Sequence, residues 1–307
     1  MKKLALVYSP SSEIYMKALM GFRKLGYQTE IFDDRDKPKN ISEFDCFIML
    51  GNDYKNRAAK EYVYKNGKPC IVITSSFFEG KNPTKYVRVH ANGFVNNMCT
   101  MPEPDYDRWN MLRQYHQYDN IFEKKQGDKI VIALNAQTSP AMMKFDVSNW
   151  FFKAAKQLRE HTDKPLYVRT HRKKKEPLGP KFQDACRRFK VKEISDTKEA
   201  EVPHHNISTA ISFTTTFSVK SLMFGTPHIA MHEGNFVSDI TRSTIKDKNL
   251  DFYPDKDSLE HHYSRLANCE WSLEEIHNGK CWETLLPYLQ SNPKLNYHWL
   301  GDQYGTV

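Results

Sequence analysis

Short apolar runs alternate with amphipathic segments over the first 75 residues of the chain. The runs at 3–9, 44–50 and 69–74 are apolar almost throughout, which is typical of strands covered on both faces of a parallel sheet. Between the first two runs, 14–25 places apolar residues at helical spacing and ends before Gly26. Strands that alternate with helices in this way predict an α/β domain of Rossmann-like architecture.

The same pattern begins again after a polar stretch at 123–128, which has the sequence EKKQGD. Apolar runs at 129–135 and 165–168 predict two further buried strands. The segment between them, 149–161, has one apolar stripe at helical spacing and predicts a helix. A second α/β domain therefore follows the first.

We predict the domain boundary near residue 127, within the polar stretch. The first domain would be a Rossmann-like domain at 1–127. The second, at 128–307, would be a Rossmann-like domain that ends in closing helices. In these helices Ser272 and Glu275 have the spacing of a capping box.

The stretch 207–231 contains a cluster of hydroxyl side chains between a predicted strand and a predicted helix. The cluster consists of Thr214, Thr215, Thr216 and Ser218, and a Gly-Thr-Pro turn separates the helix from a second apolar run. A helix N-terminus offers backbone N–H groups and a positive dipole end, which suits a phosphate group. The alternative is that the threonines cap the helix, for which one hydroxyl is enough.

This Ser/Thr turn, helix and Gly-Thr-Pro before an apolar strand resemble the donor-binding half of GT-B glycosyltransferases. The resemblance implies two Rossmann-like α/β domains with parallel sheets that face each other across a cleft. It implies that the first domain, 1–127, binds the acceptor and that the second, 128–307, binds the nucleotide-sugar. It also implies that the hydroxyl turn faces the diphosphate of a nucleotide-sugar. A carboxylate after the second strand often binds the donor ribose in such enzymes, which makes Glu233 a donor-binding candidate and Asp239 a second one.

The strand at 165–168 delivers a basic segment, RTHRKKK, to its carboxyl end. The segment resembles the R-x-H-(P/R) sequence of some GT-B enzymes, including enzymes that handle capsular sugars. Arg169, His171 and Arg172 are therefore candidates for the donor phosphate site, since a guanidinium group binds phosphate with two hydrogen bonds. We interpret Lys173, Lys174 and Lys175 as a solvated run or a diffuse contact with a polyanion such as DNA.

The loops of the first domain offer carboxylates for a general base on the acceptor side. Asp53 and Glu13 are the two candidates, and each also fits a turn or helix-cap role. The turn at 9–13 has no GxGxxG sequence, which argues against a dinucleotide site. Residues 34–36 match the DxD metal sequence of GT-A enzymes by their letters, but they fit a solvated turn better.

The composition adds information about partners and location. The 307-residue chain carries a net charge of +8, which favours a polyanionic partner, although a merely basic protein is the alternative. Six scattered cysteines without a CxxC pair, and the lack of an apolar run near 18 residues, predict a cytoplasmic protein without a membrane span. If the chain is encoded by a phage, this would be the host cytoplasm.

Taken with the resemblance, these features predict a hexosyl- or pentosyltransferase that takes a UDP-sugar type donor and requires no metal or other cofactor. We expect the acceptor to be a hydroxymethylated pyrimidine in DNA, as in phage-type DNA modification, because of the basic charge. A surface-polysaccharide or lipid-linked glycosyltransferase fits the same segments equally well. A non-catalytic nucleic-acid-binding protein is the alternative from another class.

Overall fold

A computed structural model of the chain describes residues 3–8, 13–33, 44–50, 68–78, 86–93, 96, 99–135, 145–170, 179–194, 206–245 and 250–289. Its elements divide into two compact units. The first unit contains β1 (Lys3–Tyr8), α1 (Glu13–Lys24), β2 (Gln28–Asp33), β3 (Cys46–Leu50), β4 (Cys70–Ser75), β5 (Tyr86–Ala91) and α2 (Tyr106–His116). The second contains β6 (Lys129–Ala133), α3 (Val147–His161), β7 (Leu166–Arg169), α4 (Gly179–Arg188), β8 (Val191–Glu193), β9 (Ile207–Ser212), α5 (Phe217–Met223), β10 (His228–Ala230) and a 3-10 helix (Ser238–Ile240).

Four elements complete the chain after these. Helix α6 (Lys256–Ala267) crosses from the second unit to the first, because the division falls between Glu260 and His261. The three that follow it belong to the first unit: β11 (Glu270–Ser272), α7 (Leu273–Asn278) and α8 (Lys280–Leu289). Within the described parts of the chain, no helix is both long enough and apolar enough to cross a membrane.

The sheet of the first unit has the strand order β11-β5-β4-β3-β1-β2. Strands β1 to β4 pair in parallel, as the continuous apolar runs predict. Strand β5 runs antiparallel to both of its neighbours, β4 and β11, so the sheet is mixed at this side. The order reverses between β1 and β3, which is the point where an open α/β sheet of this kind binds ligands.

Helix α1 packs its apolar stripe onto the core of the first unit. Tyr15, Ala18, Leu19 and Phe22 are buried at the spacing of one helix face, as the sequence predicts. Phe22 stacks on Trp282 of α8, with ring centroids 4.2 Å apart. The closing helices therefore contribute to the core beneath α1.

The predicted domains, 1–127 and 128–307, differ from these two units at the first boundary and in the closing helices. The closing helices belong to the first unit, because β11 pairs with β5 and Trp271 and Trp282 lie in the first core. The first boundary falls between Gln117 and Tyr118, before the polar stretch. That stretch belongs to the second unit, where the Lys125 N–H donates to the Gly225 carbonyl over 2.8 Å.

The predicted capping box at the start of α7 is confirmed. The Ser272 hydroxyl accepts from the Glu275 N–H at 3.2 Å, and the Glu275 carboxylate accepts from the Ser272 N–H at 2.9 Å. Trp271 and Trp282, on either side of this capping box, are both buried in the core of the first unit. Helix α7 ends at Gly279, whose φ of +99° is in the left-handed region that glycine tolerates.

Gly21 allows the closest approach between α1 and the closing helices. A Cβ atom there would overlap the carbonyl oxygen of Ile276 and the indole of Trp282. In an exposed helix, alanine is more favourable than glycine by about 1 kcal/mol. At this position we expect Gly21→Ala to lower the free energy of unfolding by about 1–3 kcal/mol, because the added methyl group overpacks the contact.

Urea denaturation of the purified variant measures this effect. Met20→Ala is the control, because Met20 is an exposed neighbour on α1 and should change the free energy of unfolding by less than about 0.5 kcal/mol. A Gly21→Ala variant as stable as the unmodified protein would contradict the close approach.

The second unit is a five-stranded sheet in which every described pair is parallel. Its strand order is β10-β9-β6-β7-β8, and helices α3, α4 and α5 form the connections between strands. This is the strand order of an open Rossmann-type sheet. The chain starts with the central strand, adds strands toward one edge, and then returns to add strands toward the other edge. The reversal lies between β6 and β9, so ligands are expected at the carboxyl ends of these two strands.

Candidate functional site

The carboxyl ends of β6 and β9 are joined by a pair of hydrogen bonds at the point where the strand order reverses. Asn135 follows β6, and its amide nitrogen donates to the Thr214 hydroxyl at 3.0 Å. Thr214 follows β9, and its own N–H donates to the Asn135 amide oxygen at 3.3 Å. These bonds fix the start of the hydroxyl turn against the neighbouring strand. Asn135 was not among the predicted site residues, because a single polar residue after a strand carries no distinguishing signal.

The predicted strand, turn, helix and strand at 207–231 form β9, the hydroxyl turn, α5 and β10. The four hydroxyl residues of the turn differ in their accessibility. Thr214 and Ser218 are buried, Thr215 is half-buried and Thr216 is exposed. Thr216 makes no side-chain capping bond to α5.

Ser218 faces the protein interior, which differs from its predicted contact with the donor. Its hydroxyl shares one proton between the Thr215 carbonyl at 2.8 Å and the Asn235 amide oxygen at 2.6 Å. A fully buried hydroxyl engaged in this way holds the turn in place instead of contacting a ligand. We therefore assign Ser218 a positioning role.

The backbone N–H groups at the start of α5 are also largely occupied. The Phe217 N–H donates to the Thr215 hydroxyl, and those of Ser218 and Val219 donate to the carbonyls of Thr215 and Thr216. Among the described residues, none accepts from the N–H of Thr215 or Thr216. The donors of the turn that no described residue occupies are therefore these two N–H groups and the hydroxyls of Thr215 and Thr216.

Arg169 lies beside this turn. It ends β7, the strand next to β6, and its guanidinium carbon is 5.0 Å from the ring centroid of Phe217, the first residue of α5. The Arg169 side chain is half-buried, and it contacts the aromatic face in the manner of a cation–π pair. The structure thus brings the Arg169 side chain close to the hydroxyl turn. His171 and Arg172 lie outside the described residues.

Glu233 is exposed in the loop that follows β10. The loop is shaped by short internal bonds: the Ser238 hydroxyl donates to the Glu233 carbonyl at 3.0 Å, and the Gly234 N–H donates to His232 Nδ1 at 2.8 Å. Asp239 is exposed in the 3-10 helix of the same loop. Both residues are therefore exposed, and the ribose-binding role that the resemblance implies stays a prediction for each.

Two buried histidines, His228 and His232, lie near the turn, and no sequence motif marked either of them. His228 lies on β10 with its Nε2 atom 2.8 Å from the Ser212 hydroxyl oxygen, and burial lowers its pKa to about 3. Burial also lowers the pKa of His232 to about 4, against a weaker opposing effect of Glu233. Both rings are neutral at physiological pH, so they supply no positive charge to a bound phosphate.

The candidates of the first unit are placed only in part. Glu13 is the exposed first residue of α1, where its carboxylate is 2.9 Å from the Lys17 ammonium. This arrangement is typical of a helix-terminus acid with an i,i+4 ion pair. Asp53 comes shortly after β3 in the sequence, and it lies outside the described residues.

The remaining predictions for this region concern charge and metals. Lys173, Lys174 and Lys175 lie outside the described residues. Within the ranges that the structure describes, no group of three or more His, Cys, Asp or Glu side chains is close enough to hold a metal ion. Of the predicted donor-site groups, the structure therefore describes Arg169, the hydroxyl turn and Glu233, and their role stays a prediction.

The sequence matches no protein-family model and no curated protein. The fold is similar to that of Thermosulfurimonas dismutans KpsC, beta Kdo 2,7 transferase, with a TM-score of 0.52 and 10% identity over 92% of this chain and 99% of that one. The beta Kdo 2,4 transferase of the same protein has a TM-score of 0.49 and 13% identity, over 85% and 89% of the two chains. A UDP-GlcNAc 2-epimerase of Methanocaldococcus jannaschii, solved with UDP-GlcNAc and UDP, has a TM-score of 0.38 and 11% identity over 95% and 100%. The first of these likenesses supports a fold of the GT-B type, with two Rossmann-like α/β units.

Proposed function

We propose that this protein is a glycosyltransferase that moves a sugar from a nucleotide-sugar to an acceptor hydroxyl. The observation that supports it most directly is the contact between Arg169 and the first residue of α5, beside the point where the strand order of the second unit reverses. A guanidinium group then lies beside the turn that carries the two backbone N–H groups. These are donors suited to the phosphates of a nucleotide-sugar.

The proposed reaction requires two contributions from the protein. A base takes the proton of the acceptor hydroxyl as its oxygen bonds to the anomeric carbon, and the bond from that carbon to the phosphate oxygen breaks. The leaving nucleotide carries the negative charge, which Arg169 and the N–H groups of Thr215 and Thr216 would stabilise. Glu233 would accept hydrogen bonds from the ribose hydroxyls.

The base would come from the first unit, where Asp53 and Glu13 are the candidates. Glu13 already pairs with Lys17, which favours its helix-terminus role and leaves Asp53 as the stronger candidate. His171 and Arg172 would extend the donor phosphate site beyond Arg169. A donor of the UDP-sugar type and metal-independent chemistry complete the proposal.

Two acceptor classes are compatible with this site. A glycan is supported by the likeness of the fold to that of Thermosulfurimonas dismutans KpsC, beta Kdo 2,7 transferase. A hydroxymethylated pyrimidine in DNA is supported by the net charge of +8 and the basic run at 173–175. We favour the glycan, because non-specific attraction to DNA is expected of any protein with this charge.

Product analysis tests both the function and the acceptor. The protein is incubated with UDP-, GDP-, dTDP- and CMP-sugars and either an oligosaccharide mixture or hydroxymethylated duplex DNA, and products are identified by mass spectrometry. We expect one donor to add a sugar mass to the oligosaccharides. Added mass on the DNA nucleosides alone would establish the DNA acceptor instead.

A control separates transfer from contamination by another enzyme. The Arg169→Ala variant, purified in the same way, should give much less product from the same donor. If no donor yields product on either acceptor and none raises the melting temperature of the protein, the glycosyltransferase proposal is wrong.

A further inference from the structure

Asn235 is a fully buried amide in the loop that carries Glu233. Its amide nitrogen donates to the Phe213 carbonyl and to the Ser212 hydroxyl, each at 3.0 Å. Its amide oxygen accepts from the Ser218 hydroxyl at 2.6 Å and from the Val237 N–H at 3.2 Å. All four hydrogen-bonding positions of one side-chain amide are thus occupied by protein groups.

The backbone partners fix which way this amide is oriented. The Phe213 carbonyl is an acceptor and needs the NH₂ group, whereas the Val237 N–H is a donor and needs the oxygen. A flipped amide would place its oxygen against the Phe213 carbonyl, which is a second acceptor. It would place its NH₂ group against the Val237 N–H, which is a second donor. The contacts therefore require asparagine and are incompatible with a carboxylate, which has no proton to donate.

The four partners come from three different segments of the second unit. Ser212 and Phe213 lie at the carboxyl end of β9, and Ser218, the last residue of the hydroxyl cluster, lies in the first turn of α5. Val237 belongs to the same loop as Glu233. Asn235 consequently joins the turn with the two N–H groups to the loop with the exposed carboxylate.

Other buried contacts hold the same region but join fewer segments. His228 Nε2 bonds the Ser212 hydroxyl, and the Phe213 ring packs against His232 with centroids 4.6 Å apart. Neither contact reaches α5 and the loop together. The amide of Asn235 connects all three segments.

We propose that Asn235 is a positioning residue that fixes the spacing between the hydroxyl turn and the Glu233 loop before any ligand binds. This inference rests on the proposed function, in which the turn takes the donor phosphate and Glu233 takes the ribose. Asn235 is buried and does not touch the donor itself. It lowers the cost of donor binding, because the two halves of the site are already held at the bound spacing.

Asn235→Asp is the most specific test, because it changes two donor hydrogens and almost no volume. At pH 8.5 the new carboxylate keeps the Ser218 and Val237 bonds but opposes the Phe213 carbonyl with a negative charge. We expect the dissociation constant for the nucleotide to rise roughly 10-fold or more, because binding must then restore the spacing of the loop and the turn at a cost of the size of the lost hydrogen bond. UDP, GDP, dTDP and CMP are titrated in turn by calorimetry.

Lowering the pH gives a readout that a general loss of stability would not produce. Burial raises the pKa of the introduced carboxyl, and its protonated form again offers a proton to the Phe213 carbonyl. The ratio of dissociation constants, variant over unmodified protein, should therefore fall as the pH is lowered from 8.5 to 5.5. His228 and His232, with pKa values of about 3 and 4, stay neutral over this range and do not confuse the ratio.

Asn92→Asp is the matched control in the first unit. Asn92 is also fully buried, and its amide nitrogen donates to the Thr100 hydroxyl at 2.9 Å and to the Tyr288 carbonyl at 3.2 Å. Its φ of +72° suits aspartate about as well as asparagine. This variant should lose comparable stability and keep the nucleotide affinity of the unmodified protein at each pH.

Hydrogen–deuterium exchange without ligand distinguishes a failure of this inference from a failure of the proposed function. At pH 8.5, Asn235→Asp should speed exchange in 214–218 and 231–238, and leave β7 unchanged. If the unmodified protein binds none of the four nucleotides, the donor assignment fails, and this exchange pattern alone decides whether Asn235 joins the two segments. Unaltered exchange in both segments, or unaltered affinity in a protein that does bind nucleotide, overturns the positioning role.

Discussion

Replacing Arg108 with alanine is expected to lower the free energy of unfolding of the first unit by about 3–5 kcal/mol. Arg108 lies on α2 with its side chain almost fully buried, and its guanidinium group donates to both oxygens of the Glu275 carboxylate, at 2.8 and 2.9 Å. It also donates to the carbonyls of Ala267 and Glu270, at 3.1 and 2.8 Å. Its guanidinium carbon lies 3.9 Å from the ring centroid of Trp271.

The expected loss is large because the variant leaves the half-buried Glu275 carboxylate without its arginine partner. Burial raises the pKa of Glu275, but the hydrogen bonds and charge of Arg108, with help from Ser272, outweigh burial and bring the pKa below its usual value. A group with a depressed pKa contributes stability above its ordinary pKa of about 4.3, and this stability is lost as the pH falls through the lower folded value. The difference between Arg108→Ala and the unmodified protein should therefore be constant from pH 6 to 8 and should shrink in acid.

Differential scanning calorimetry at several pH values measures the change. Arg187→Ala is the control, because Arg187 forms an exposed i,i+3 ion pair with Asp184 that should contribute less than about 1 kcal/mol. A melting temperature for Arg108→Ala within a degree of the control would show that the buried arginine is not needed. Arg108→Lys should be intermediate, since an ammonium group keeps the charge but cannot bond both carboxylate oxygens.

The sequence predicted the local elements of both units well, because each depends on periodicity within one segment. The apolar stripe of α1 and the strand, turn, helix and strand at 207–231 formed where their patterns place them. The capping box of Ser272 and Glu275 is a three-residue spacing and is equally local. Patterns of this kind report which face is buried but not against which partner.

The elements that the sequence misplaced depend on long-range pairing. Strand β11 is three residues long and pairs with β5, almost two hundred residues earlier, so no local pattern assigns the closing helices to the first unit. The bond between Arg108 and Glu275 joins the same distant parts of the chain. The polar stretch at 123–128 has the composition of a linker, yet backbone bonds hold it to the end of α5.

The site shows the same limit at the level of single side chains. The sequence placed Arg169 and the hydroxyl turn at strand ends, and the strand order brings those ends together. Ser218 was predicted to contact the ligand, because the sequence does not show whether a hydroxyl side chain faces outward or inward. Asn135 and Asn235 passed unnoticed, because the function of a buried amide lies in partners that only the fold assembles.

Arg169→Ala is expected to weaken binding of the donor nucleotide by about 1.5–3 kcal/mol, or roughly 10- to 150-fold, with little loss of stability. This is the range for hydrogen bonds to a charged group, and the half-buried guanidinium beside Phe217 is well placed to make them. Arg169→Lys should recover part of the affinity, since the charge stays but the paired geometry is lost. Calorimetric titration of the folded variants with the preferred nucleotide measures both changes.

Arg188→Ala provides the matched control for that loss. Arg188 also contacts aromatic rings, with its guanidinium carbon 6.0 Å from the Phe152 centroid and 5.8 Å from that of Phe189. It lies in the last turn of α4, away from the carboxyl ends of β6 and β9, so its removal should leave nucleotide affinity unchanged. Equal weakening by both variants would mean that Arg169 acts through overall positive charge, and unchanged affinity for Arg169→Ala would remove this residue from the phosphate site. A loss confined to Arg169→Ala would instead place the nucleotide phosphate between β7 and the start of α5, where the strand order of the second unit directs it.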